Sequence, residues 1–526
     1  MKPTRPGTGK AGPAATARDR WIALALVMGW TALLLVAQRD TGIARDEGYY
    51  FRASRSAWDW AEQLGDDPKK ALSRASIDRH FSYNSEHPAL MKLLFGASEA
   101  LFHERLGWCG ATTALRFPGM LISALAVGLI YLFGAGAHSR GAGLCAALLY
   151  AALPRVFFHA QLATFDGAVA TTWLAVVWAY WRSLERPWMA WVCGLLFGVA
   201  LATKLNAFFL PPVLFAHWIA NRAMGPPRSR GITVFVAMVV LGPLVLIGHW
   251  PWLWADTFAR LSRYVAFHLH HAYYNTAYFG VNYNRPPLPW SYPFVLTALT
   301  TPLVTLALAL PGLLLTLRRP NQLAWLWSVN LLVPLLVIAH PDTPIFGGTK
   351  HWLNAMPFLA LFAGVALQRF TEGTGRWGVL AGALAIAPGA VDAVHSHPFG
   401  LSQYSAIAGG APGAADLGML RQFWGYPTRQ ILPWMNERLP RGTLVYWHDT
   451  NHDATEAYQR EGLLRRDVRD AGMEEPAVRR SDAALVIHEL HFAKYEHMIW
   501  NAYGTATPAR VLNLDGVPLV TVYRRP

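Results

Sequence analysis

From Trp21 to Gln38 the chain is apolar almost without interruption, and no amphipathic period divides the run into a wet and a dry face. A run of this length falls within the roughly 17 to 25 residues that carry a helix across a bilayer. Further runs occupy 115–135, 141–158, 166–182, 188–203, 206–221, 231–250, 292–316, 323–340, 351–369 and 376–393, so the pattern predicts about eleven transmembrane helices. Beyond residue 395 the pattern changes. Short β-like runs, TLVYWH (443–448), AALVIHEL (483–490) and VPLVTVYR (517–524), alternate there with helical stretches such as DATEAYQREGLLRR (453–466). The expected organisation is a tail over 1–20, a polytopic α-helical membrane domain over 21–394 and a C-terminal soluble α/β domain over 395–526.

Composition supports a membrane protein, since 53% of residues are hydrophobic and only 15% are charged, against about 25% charged in soluble domains. The formal charge of +14 would suit nucleic acid, but the basic residues sit mainly in short loops between apolar runs, which fits membrane topology and sets nucleic acid aside. With the basic N-terminal tail in the cytoplasm and an uncleaved first span, threading the runs puts Arg140, then Arg182 and Arg186, then Arg222, Arg228 and Arg230, then Arg318 and Arg319, then Arg369 and Arg376 in inside loops. A twelfth span over 87–102 would invert that order, so this segment is expected to lie along the outer surface. Two large loops, 39–114 and 252–290, and the C-terminal domain then share the outer face, as in a bacterial inner-membrane protein with a periplasmic domain. Cys109, Cys145 and Cys193 form neither a disulfide framework nor a thiolate metal motif. The stretch GAGAHSRG at 134–141 lacks the strand and acidic partner of a dinucleotide site.

Candidate chemistry gathers at the outer span ends. Asp46 and Glu47, in ARDEGYYFR just after the first span, are placed for general-base work if partly desolvated, and as solvated loop acids otherwise. Glu86 and His87 precede Pro88, which fixes a helix start. Asp166 opens the fourth span, as a dipole-facing acid or as part of a cleft. Lys204, and Lys350 with His351, stand at outer turns where a cation either snorkels to lipid headgroups or binds a particular phosphate. His268, His270 and His271 crowd the second loop, as an aromatic belt or as ligands of a divalent metal cation, although their spacing matches no standard zinc motif.

Together, the D-E after span one, E-H-P-A-L followed by Lys92, Asp166, the histidine loop leading to PPLPWSYPF, and K-H-W-x-x-x-x-P at a late span resemble the GT-C membrane glycosyltransferases. The likeness is to the group of protein O-mannosyltransferases and lipid A aminoarabinose transferases, the family 39-like enzymes, and covers roughly 20–395. Ala89 replaces the second proline of that group's E-K-P-P-L or H-P-P-L element. The resemblance implies transfer of a sugar from a polyprenyl phosphate-linked donor to a lipid, glycan or protein acceptor on the outer face. It makes Asp46 the base, with Glu47 the neighbouring alternative, and Asp166 a second carboxylate orienting acceptor or sugar. It matches Glu86 to a cation-binding position, with His271 taken first among His268, His270 and His271. Lys204, Lys350, His351 and, in place of the family's lysine, His87 are then the donor-phosphate residues. The rival is a transporter or flippase for a lipid-linked substrate, which would carry charge near the midplane and an inverted repeat that the sequence does not show. A third reading is a degenerate family member whose soluble domain only binds glycans.

Overall fold

The computed structural model describes residues 16–223, 231–317, 322–344, 347–489 and 493–526. Lys2, Arg5 and Lys10 of the tail, and the loop arginines Arg228, Arg230, Arg318 and Arg319, lie outside the described residues.

Every apolar run coincides with helix. Among the described residues five helices are long and apolar enough to cross a membrane, Ala17–Ala37, Ala111–Ala137, Gln322–Ala339, Gly348–Thr371 and Arg376–Ser396, or up to seven spans if each of two bent pairs counts as one. Two expected spans are bent pairs. Arg140–Ala151 and Pro154–Ala160 meet at 71°, and Tyr292–Thr300 and Leu303–Leu317 at 119°. Each break sits at a proline, Pro154 or Pro302, whose missing N–H and ring clash interrupt a helix. Met189–Thr203 and Ile232–Gly248 are shorter apolar helices. They approach closely because Gly194 has no side chain: a Cβ there would collide with Ala237, the small-residue contact by which membrane helices pack.

The first large loop folds into the helix Arg45–Asp66, two short helices, and the helix Ala89–Ser98, which packs against Arg45–Asp66 and Ala111–Ala137. The second loop forms the helix Thr257–Leu269 and a small hairpin of β1 (Thr276–Tyr278) and β2 (Val281–Tyr283).

The C-terminal region builds a five-stranded sheet from β3 (Leu444–Trp447), β4 (Arg469–Gly472), β5 (Ala483–Ile487), β6 (Arg510–Leu514) and β7 (Val517–Arg524), in the order β4-β3-β5-β7-β6. β3 runs parallel to β4 and β5, and β7 antiparallel to β5 and β6. The three expected β-runs are β3, β5 and β7, while β4 and β6, mostly edge-exposed and weakly apolar, escape the pattern. The helix expected over 453–466 stops at Arg460, ahead of Gly462 at φ +72°. One apolar core joins this sheet to the first loop, the Ala111–Ala137 helix and the turn before Asp166: Ile43, Phe51, Leu115 and Phe165 pack with Trp424, Trp447 and Tyr458. The parallel strands β3 and β5 therefore point their carboxyl ends at the start of Arg45–Asp66.

Candidate active site

Asp46 and Glu47 occupy the first turn of Arg45–Asp66, where acids meet the positive end of the helix dipole. Glu47 turns inward. Its Oε1 accepts from Arg116 Nε at 2.8 Å and from the Ala163 N–H at 2.7 Å, and its Oε2 from Arg116 Nη2 at 2.7 Å and the Ala44 N–H at 2.9 Å. Arg116 donates its other N–H groups to the carbonyls of Gln38, Thr41 and Gly42. The two side chains are 0% and 1% exposed. Glu47 thus fastens the end of the first span to the Ala111–Ala137 helix and to the turn before Asp166. Asp46 faces the other way, 21% exposed, with Oδ1 3.5 Å from Arg45 Nε and Oδ2 3.6 Å from Lys350 Nζ.

Asp166 begins the helix Asp166–Ser183 and accepts from Lys204 Nζ at 2.6 Å. Lys204 caps the end of the next helix, Met189–Thr203, in extended backbone, so the start of one span and the end of the following one meet as an ion pair. Lys350 lies in the 3-10 stretch Gly348–Ala355 with its Nζ 4.2 Å from the Trp424 ring centroid. Gly347, at φ +85°, leaves room for it, since a Cβ there would strike the Lys350 side chain. His351 follows on the same turn and is half-buried.

Glu86 accepts from Asn84 Nδ2 at 2.6 Å, Lys92 Nζ donates to the Asn84 carbonyl at 2.6 Å, and His87 Nε2 meets the Tyr50 hydroxyl at 3.2 Å. Burial, with the Lys204 and Lys92 cations, holds His87 well below the usual imidazole range, so it is neutral at pH 7. Burial also brings Lys92 down to about 7, against the pull of Glu86. The Tyr50 phenol is raised by burial and by the charges of Asp46, Asp166 and Glu86.

The three loop histidines divide. His268 Nε2 lies 2.9 Å from the backbone carbonyl of Glu86, and burial lowers the imidazole to about 4. His271 is lowered by burial and feels Lys350, Asp46 and Glu86. His270 is exposed, its Nδ1 on the Ala266 carbonyl of its own helix. Among the described residues no three His, Cys, Asp or Glu side chains group as metal ligands. Among those residues the donor set that a divalent cation requires is not assembled around Glu86.

The C-terminal region supplies residues that the sequence reading passes over. Asp449, just past β3, accepts from Arg45 Nη1 at 2.6 Å. The Trp424 carbonyl accepts from the Arg45 N–H at 2.7 Å, and Asn451 Nδ2 donates to the Arg45 carbonyl at 2.8 Å. The available signal was position: polar residues at the carboxyl end of a parallel strand, where open α/β sheets carry their functional groups.

A family model described as dolichyl-phosphate-mannose-protein mannosyltransferase matches residues 86–252. No curated protein matches the chain. Among solved structures, ArnT from Cupriavidus metallidurans in the apo state is similar at TM-score 0.52 and 16% identity, covering 96% of this chain and 98% of that one. The same ArnT bound to undecaprenyl phosphate gives 0.50 and 15%, with coverage of 96% and 98%. The apo oligosaccharyltransferase of Archaeoglobus fulgidus gives 0.52 and 12%, covering 93% of this chain and 72% of that one. The chain has the GT-C fold, a polytopic helical membrane protein with a β-containing C-terminal region, and the motif resemblance agrees with the family match.

Proposed function

We propose that this protein is a membrane glycosyltransferase that moves a sugar from a polyprenyl phosphate to an acceptor at the loop end of its helices. The observation that carries the reading is the pairing of two carboxylates with two lysines in one place: Asp46 with Lys350, and Asp166 with Lys204. The family match and the ArnT fold, seen elsewhere with undecaprenyl phosphate, support the donor class.

In this mechanism the acceptor hydroxyl oxygen attacks the anomeric carbon from the side opposite the phosphate. Asp46 accepts the hydroxyl proton as the new C–O bond forms. The bond from the anomeric carbon to the phosphate oxygen breaks, and the polyprenyl phosphate leaves with the electron pair. A single displacement of this kind inverts the anomeric centre. Lys350 and Lys204 stabilise the charge that develops on the leaving oxygen, a task for which preorganised cations in a dry site are effective. Asp166, held by Lys204, orients a sugar or acceptor hydroxyl. The polyprenyl tail stays in the bilayer, with the N-terminus cytoplasmic and the C-terminal region outside, in the inner membrane of a bacterium.

The test is purified protein in lipid nanodiscs, offered a panel of polyprenyl phosphate sugars and candidate acceptors, with products read by mass spectrometry. Sugar gained by an acceptor and lost from the lipid is the expected result. Wild-type protein that leaves every donor intact would sink the reading.

A further inference from the structure

Arg45 stands between two carboxylates that come from opposite ends of the chain. Its Nη1 is 2.6 Å from Asp449 Oδ1, and its Nε is 3.5 Å from Asp46 Oδ1. The nearer partner is also the drier one, with the Asp449 side chain 2% exposed, and a charge-assisted bond at that distance is far stronger than the looser contact with Asp46. The backbone of Arg45 is fixed from the same side by the Trp424 carbonyl and the Asn451 amide. Gly48 permits this approach, because a Cβ there would overlap the Asn451 side chain.

We infer that Asp449 is a positioning residue of the C-terminal region, which holds the Arg45 guanidinium in the looser 3.5 Å contact with Asp46 and so keeps the Asp46 carboxylate basic enough to take the acceptor's proton. The inference rests on the transferase reading above. Lys350 already lies 3.6 Å from Asp46 Oδ2. Without the charge of Asp449, the Arg45 guanidinium is released to tighten its 3.5 Å contact with Asp46, which would then be gripped closely by two cations. A carboxylate whose lone pairs are taken by a guanidinium and an ammonium is a weaker base. Glu489, beyond β5, supports the arrangement. It contacts Asp449, and burial together with Asp449's charge pushes its carboxyl well above the usual range, so it serves as a proton-bearing neighbour rather than a second anion. The Tyr274 ring, 5.8 Å from the Arg45 guanidinium, closes the remaining side.

Two readouts test this, and one of them needs no sugar. In transfer assays Asp449→Asn should lower kcat by about tenfold or more while donor KM moves by less than about threefold. Adding Arg45→Gln to that variant should bring kcat back up, because the intruding cation is gone. A residue with a merely structural role predicts the opposite, a double variant no faster than Asp449→Asn. The second readout is coupling of a hydrophobic carbodiimide to Asp46, followed by peptide mass spectrometry. Coupling should fall in Asp449→Asn and recover in Asp449→Asn/Arg45→Gln. Asp449→Glu keeps the charge and serves where Asp449→Asn does not fold, and its Asp46 should couple as in the wild type. Unchanged coupling in Asp449→Asn, no recovery in the double variant, or lost coupling in Asp449→Glu overturns the inference. Wild-type protein inactive with every donor counts against the transferase reading alone, since the coupling experiment still reports on Arg45.

Discussion

Consecutive residues on a helix point about 100° apart, so Asp46 and Glu47 leave the same turn into different surroundings, one beside two cations and one inside the Arg116 network. Asp46→Asn should therefore retain donor binding and lower the chemical step by at least about 100-fold, the lower end of what a general base supplies; single-turnover kinetics with a verified donor check this, and a near wild-type rate would remove Asp46 from the role. Glu47→Gln breaks a buried, fully bonded ion pair. Its expected effect is a loss of stability of about 3–5 kcal/mol, seen as a lower unfolding temperature in detergent whether or not substrate is present. Only the family resemblance puts Asp46 ahead of Glu47 in the sequence; the physical difference between the two depends on Arg116 and Ala163, both far along the chain. Lys92 gives a pH prediction. Its ammonium is lowered from 10.5 to about 7 by burial. Between those values the unfolded chain holds the extra proton, so folded-state stability rises with pH from about 7 to about 10.5 and is penalised below that window. Thermal unfolding of the wild type relative to Lys92→Met should show this slope, and parallel curves would contradict it.

Elements add constraints that single side chains do not show. The apolar runs were legible because a helix in lipid must satisfy its own backbone and present apolar side chains all round, and every such run is helical. Their bends were not, although Pro154 and Pro302 stand in plain view, because the angle at a proline is set by what the two halves pack against. The 3-10 stretch Gly348–Ala355 is another such case, since it presents Lys350 from a turn at the start of what reads as one continuous span. Gly347→Ala forces a β-carbon into the left-handed region, at about 1–2 kcal/mol, and into the path of the Lys350 side chain. The expected result is a raised donor KM with a smaller change in kcat, whereas Gly373→Ala, at φ +80° with open space around it, should cost similar stability and leave KM alone. Equal KM values in the two variants would detach Gly347 from Lys350.

At the scale of the whole molecule, the distribution of arginines predicts that cysteine labelling finds positions 46, 271, 350 and 442 on one side of the membrane and 228 on the other; Asp46 and Arg228 on the same side would dismantle the span assignment and the site with it. The family resemblance was also legible, because EHPAL, Asp166 and KHW are short local motifs that stand close to the apolar runs marking the spans. The sequence by itself determined the membrane class, the helical segments, the three β-runs of the C-terminal sheet and the set of acids, lysines and histidines from which a site could be drawn, since each of these follows from local hydrophobic period and composition. Tertiary structure alone decided which members of that set meet. It pairs each of two aspartates with a lysine, buries Glu47, sets His87 against Tyr50, and leaves His270 in solvent. It also brings Asp449 to Arg45 across 404 residues. Contacts of that separation leave no local trace in a sequence, because they depend on two surfaces sharing one apolar core, here Ile43 and Phe51 against Trp424 and Tyr458, rather than on any period along the chain.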